Sequence, residues 1–190
     1  MILYQLSVFL HVLSAVVWIG GMLFLALVVV PATRSLLPAD RAALFGAVGR
    51  RFRTVGWVCI AILLVTGTIN TVYRGVSWDN LFSVTLWGSP FGVTLALKLG
   101  VVALLLGLSV YHDFVIGPRS VRVLEQAAVH VPSGATPTLG SMAPSAVRPD
   151  LMHEAHRLRR LASVVGRLEA ILALVVLALA IMLVRGVPLL

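Results

Sequence analysis

Five side chains invite a chemical reading first: His11, Lys98, His112, His153 and His156. Each lies in or beside a stretch otherwise built from Leu, Val, Ala and Ile. An ionisable residue in a hydrocarbon-length segment is costly and usually faces the interior of a helix bundle. Read at a three-four spacing, the first segment carries one stripe of Tyr4, Ser7, His11, Ser14, Trp18 and Gly21. The second offers Arg53, Gly56, Gly67 and Asn70, and the third Thr94, Lys98 and His112. The fourth offers His153, His156, Arg160, Ser163 and Arg167, with Glu169 close by.

Imidazoles on different helices at one depth can hold haem b axially, with arginine near the propionates. On that expectation His11 or His112 ligates iron together with a helix-four histidine, the metal candidates being His11, His112 and His156. His153 is a further cofactor contact. Arg53 or Arg160 neutralises a propionate, Trp18 packs on the macrocycle, and Lys98 supplies charge or a proton as the catalytic candidate. Gly20, Gly21, Gly56, Gly67 and Gly107 make room for one or two haems. Copper is the alternative, because imidazole suits it. Soft sulfur is scarce, however: Met22 and Cys59 lie well inside spans, and Met182 near the end of one. Structural readings stay open beside both chemistries. His11 can be a buried neutral histidine bonded to a neighbouring helix, and His112 a headgroup-level residue. His153 and His156 can belong to a solvated face. Lys98 can snorkel or pair with Glu169.

These residues need elements to hold them. Of the 190 residues 59% are hydrophobic and 12% charged, and the mean hydropathy is +1.03. Soluble domains carry roughly 25% charged residues. The composition therefore predicts an all-α integral membrane protein, a bundle of four transmembrane helices in one domain over 1–190. A span needs roughly 20 apolar residues. The helices are expected at about 2–30, ending before Pro31, and at 50–73, 91–116 and 150–184, with a short interfacial helix from Asp40. Residues 75–90 form a short aromatic loop whose Trp78 and Trp87 suit a headgroup belt. The Pro-, Ser- and Gly-rich stretch within 118–149 is expected to be a mobile cytoplasmic loop, with His130 solvated at its edge. The apolar start is too long for a signal peptide and is expected to remain as a helix.

The net charge of +8 reads as topology rather than as a nucleic-acid surface, since no nucleic-acid motif is present. Arg34, Arg41, Arg50, Arg51 and Arg53 follow helix one, and Arg119, Arg122, Arg148, Arg157, Arg159 and Arg160 lie in the loop after helix three and the entry of helix four. Only Arg74 and Arg185 lie on the other face. Positively charged loops stay in the cytoplasm. The chain is thus expected in the plasma membrane with both termini outside. That orientation sets two levels: an outer one of His11, Lys98, Asn70 and Tyr73, and an inner one of His112 with His153 or His156. Cys59 is the only cysteine, which excludes an internal disulfide and a CxxC site.

"HVLSAVVWIGGMLFLALVVVPA" resembles the opening helix of the CopD-like copper-resistance membrane domain, and is also similar to that of the HemJ-type protoporphyrinogen oxidases, which pairs a histidine with a tryptophan. "RRFRTVGWVCIAILLVTGTIN", "LALKLGVVALLLGLSVYHDF" and "RLEAILALVVLALAIML" resemble the later helices in family order. The resemblance implies His11 and His112 as haem-ligand candidates and Lys98 as a functional intramembrane lysine. The favoured expectation is a haem b membrane protein of electron transfer, or a haem-dependent oxidoreductase acting on oxygen, superoxide or nitric oxide. Its expected partners are the lipid bilayer and a small redox partner, quinol or diatomic ligand, with a homo-oligomer left open. The alternatives are a CopD-type copper import or resistance permease and a protoporphyrinogen oxidase-like enzyme.

Overall fold

The structure, a computed structural model, describes residues 1–128 and 149–186. The Pro- and Ser-rich core of the expected mobile loop, with His130, lies outside the described residues. Among those described there is no strand. In hydrocarbon every backbone N–H and C=O must be satisfied internally, and a continuous helix does this within one segment. Four helical stretches are long and apolar enough to cross a bilayer: Ile2–Ser35, Ala43–Tyr73, Pro90–Ser120 and His153–Arg185.

The first stretch is helix α1 (Ile2–Phe24), a π-helical turn (Leu25–Val29), the single turn α2 (Val30–Ala32) and a 3-10 turn (Thr33–Ser35). It runs past Pro31, where the sequence predicted a stop. A proline lacks the N–H that would bond back one turn. Here the wider π turn precedes it, and Pro31 falls in the first turn of α2, where a missing donor costs little. The Thr33 hydroxyl lies 2.9 Å from the Val29 carbonyl and 3.1 Å from that of Val30, satisfying acceptors at the end. α1 is inside-out relative to a soluble helix. Ser7 and Ser14 are buried, while Leu6, Phe9, Val12, Leu13 and Val16 are exposed, as a lipid-facing surface requires.

Helix α3 (Pro38–Tyr73) absorbs the interfacial helix expected from Asp40 into one rod. It ends at Arg74, followed by Gly75 at φ +91°, a left-handed turn that glycine tolerates. The loop beyond is tied by its own side chains. Asn80 Nδ2 donates to the Gly75 carbonyl (2.7 Å) and Asn80 Oδ1 accepts from the Ser77 N–H (2.8 Å). Trp87 Nε1 donates to the Leu81 carbonyl at 2.6 Å, while Trp78 is 84% exposed. Helix α4 (Val84–Trp87) is capped by Ser83, and helix α5 (Pro90–Tyr111) by Ser89, whose hydroxyl accepts from the Gly92 N–H at 3.0 Å.

α5 passes through a second π turn (His112–Ile116) directly into α6 (Gly117–Ala128), so residues 117–128 are helical where the sequence predicted the start of a loop. Helix α7 (Pro149–Arg185) is the last span and ends at Gly186, φ +66°. The contacts divide the chain into two compact units: Met1–Val102 with the chain from Ala170 onward, and Ala103–Glu169.

Candidate functional site

In the first unit α1 and α3 run antiparallel along one seam, and the polar stripe of α1 lies on it. The Tyr4 and Tyr73 rings meet at 5.1 Å between centroids, tilted by 44°. The Ser7 hydroxyl donates to Asn70 Oδ1 at 3.0 Å, with the Thr66 carbonyl 3.4 Å away. His11 Nδ1 lies 2.8 Å from Thr66 Oγ1. The edge of its ring covers Gly67, where a Cβ would stand 3.4 Å from His11 Cε1. Farther along, the Trp18 indole lies over Gly56, its Nε1 3.4 Å from where a Cβ would be. At Gly21 a Cβ would collide with the Phe52 ring. Small residues thus admit the two large rings of α1 and let the backbones approach, the usual basis of helix packing in lipid.

The hydrogen bonds around His11 fix its tautomer. The Thr66 hydroxyl has one proton and donates it to the Ile62 carbonyl at 2.6 Å. Toward His11 it then accepts, which assigns the ring proton to Nδ1, and the Leu63 backbone lies within hydrogen-bonding reach of the ring. Nε2 is then left with its lone pair, the form in which imidazole binds a metal. Cys59, buried at 6% exposure, lies on the α3 face defined by Gly56, Leu63, Thr66 and Asn70. It stands seven residues from Thr66, roughly 10 Å along the axis at ~1.5 Å per residue. The seam therefore carries a nitrogen donor and, about two turns away, a soft sulfur donor.

Two cations lie on the same unit. Lys98 of α5 is partly buried, makes no hydrogen bond or ion pair among the described residues, and lies within electrostatic range of His11. Arg74 acts on Lys98 in turn, and its Nη1 donates to the Leu183 carbonyl of α7 at 3.1 Å. His11, Asn70, Tyr73 and Lys98, grouped at one level from sequence, thus belong to one unit. Arg53 is half-buried on α3, one turn from the Trp18–Gly56 contact.

The other expected site residues lie in the second unit. His112 opens the π turn, its Nδ1 3.2 Å from Asp113 Oδ1. Glu169 of α7 lies within its electrostatic range. His153, His156 and Arg160 are exposed on α7, so the helix-four histidines expected beside His112 stand on an outward face. No group of three or more His, Cys, Asp or Glu among the described residues is arranged to hold a metal ion. The sequence reading left Thr66, Ser109 and Asp113 without roles. Thr66 could have been found by continuing the Gly56–Asn70 stripe, and Asp113 by its adjacency to His112.

A family model described as copper resistance protein D (CopD) matches residues 46–183 of the chain. An uncharacterized protein of Aquifex aeolicus (strain VF5) is 35% identical over 117 residues, which are 61% of this chain and 72% of that protein. No solved structure matches.

Proposed function

Because this chain belongs to the copper resistance protein D family, we propose that it carries copper ions through the membrane along the seam between α1 and α3. The reading rests on one observation: Thr66 holds the His11 ring with its Nδ1 proton engaged and Nε2 free to take a metal ion. Copper is cargo here, so a closed cage of three or four donors is not required. Conduction needs sites that bind well enough to receive the ion and weakly enough to release it. His11 and Cys59 supply such steps, a nitrogen and then a thiol, both compatible with copper. His112 is left out of this path. The charge pattern, with basic residues in the first half of α3, on α6 and in the first turns of α7, supports the plasma membrane with both termini outside.

The test is copper uptake into proteoliposomes holding the full chain. His11→Ala should lower the initial rate at least tenfold, and Cys59→Ser should lower it less. An unchanged rate in His11→Ala overturns the reading.

A second reading, haem b, is favoured by Lys98. An ammonium that pairs with no carboxylate among the described residues, within electrostatic range of an imidazole, suits a propionate better than it suits a copper cation. In that reading His11 Nε2 would hold the iron, Lys98 the propionate, and Trp18 would pack beside the ring. Haem would supply one-electron chemistry when bound. A visible spectrum of the purified chain separates the two. A Soret band lost in His11→Ala supports haem, and a colourless, copper-conducting protein supports the permease.

A further inference from the structure

The loop that joins α3 to α5 carries a surface that the copper path does not use. Three of its large apolar side chains stand almost fully exposed: Trp78 at 84%, Phe82 at 85% and Val84 at 88%. One exposed apolar residue is ordinary, whereas a patch of large ones marks a surface with an occupant. The loop is well tied from within. The Leu81 and Asn80 N–H groups both donate to the Ser77 carbonyl, at 2.9 and 3.3 Å, and the Ser83 N–H donates to the Asn80 carbonyl at 2.9 Å. These bonds wind residues 77–83 through about one helical turn, which brings Trp78 and Phe82, four apart, to one side. On the other side Val76 is buried and Trp87 is held by the Leu81 carbonyl. The two tryptophans therefore differ: Trp87 ties the loop to itself, and Trp78 is presented outward.

Two observations say what covers the patch. The loop is rooted in the ends of two membrane-spanning stretches, Tyr73 and Pro90, so it stands at the boundary of the bilayer. Exposed apolar surface also runs up to it from both sides, with Val72 and Tyr73 on α3 and Val93 and Leu97 on α5. All of these residues belong to the first unit. The chemistry agrees. Asp79 is the one ionisable side chain within 75–90, so the loop offers little to water or to a charged partner. An indole combines an apolar body with one N–H and suits the boundary between headgroups and acyl chains. Phe82 and Val84 have no polar atom and suit the acyl chains themselves.

We infer that residues 77–84 form a wedge seated in the bilayer leaflet at this end of the spans, its occupant being the upper acyl chains and glycerol region of the lipid. Trp78 marks the boundary, and Phe82 and Val84 enter the hydrocarbon beside it. The wedge fixes how deep the ends of α3 and α5 sit, and with them the Tyr4–Tyr73 end of the seam.

The experiment is tryptophan fluorescence of the full chain in phosphatidylcholine vesicles whose acyl chains carry bromine either near the carbonyl or near the middle of the chain. The emission lost in Trp78→Phe isolates that side chain. It should be quenched at least about twofold by the shallow bromines, as expected of an interfacial indole, and less by the deep ones. Aqueous iodide should scarcely reach it. Phe82→Trp in the Trp78→Phe chain should restore an emission that the brominated lipids quench as well. If neither emission is quenched by any brominated lipid, the wedge is overturned. Quenching by iodide would then mean a patch facing water, and quenching by neither agent a patch covered by protein, such as a second copy of the chain.

Discussion

His11 and Thr66 are joined across the α1–α3 seam by a bond that can run in one direction only, from the imidazole Nδ1 to a hydroxyl whose proton is already given to Ile62. A threonine bonded to its own preceding turn is common in membrane helices. Here that ordinary bond decides which nitrogen of a histidine is free.

Thr66→Val removes the acceptor while keeping the shape. Interhelical hydrogen bonds in membranes are worth about 0.6 kcal/mol on average and up to ~1.7. The expected loss of stability is of that order, read by unfolding in mixed micelles. Copper uptake should fall by more, because the ring is no longer held with Nε2 free. Thr66→Ser should retain both. Equal losses in the Ser and Val variants would show that the methyl group matters rather than the hydroxyl.

Gly21 and Phe52 make a sharper test of the seam. Gly21→Ala drives a Cβ into the Phe52 ring, and overpacking of this kind costs about 1–3 kcal/mol. Phe52→Leu in the same chain should recover most of the loss. Gly20 is the control: nothing lies within 4 Å of its Cβ position, so Gly20→Ala should leave stability unchanged or raise it slightly. A double-mutant cycle with no coupling between Gly21 and Phe52 would contradict the packing.

Lys98 separates the two chemistries. With copper as cargo, Lys98→Met removes a repelling charge near His11 and should raise uptake several-fold, while Lys98→Arg should not. With haem, the same Lys98→Met variant should lose pigment. Uptake and the visible spectrum of the one variant therefore give opposite signatures.

Gly92 sets where α5, and hence Lys98, begins. A Cβ at this position would collide with the Leu86 carbonyl, which is backbone and cannot swing aside. Gly92→Ala should lower stability by about 1–3 kcal/mol and speed amide exchange at Leu86–Val93, where Ser89 caps the helix. Unaltered exchange would mean that the turn does not depend on this close approach.

The parts legible in the sequence were those set by periodicity. Four spans follow from apolar length, and the stripe from Tyr4 to Gly21 follows from one helix presenting one face to one neighbour. Three things were hidden for physical reasons. Pro31 reads as a stop, but a π turn before it lets the helix continue, and such a turn leaves no mark in the hydrophobic pattern. Thr66 looks like a helix residue satisfied within its own turn, and only its partner across the seam gives it a role. His153 and His156 share a stripe with Arg160, and periodicity cannot say whether a polar stripe looks inward or away; in the structure all three are exposed.

The contacts Tyr4–Tyr73, Ser7–Asn70, His11–Thr66, Trp18–Gly56 and Gly21–Phe52 all keep one register, and this leaves the α1–α3 pair without tolerance in register. One residue added between His11 and Trp18 would turn everything beyond it by ~100° about the α1 axis. Trp18 would leave its glycine notch and a bulky neighbour would arrive there instead. Length, more than composition, is what this stretch of the chain cannot change.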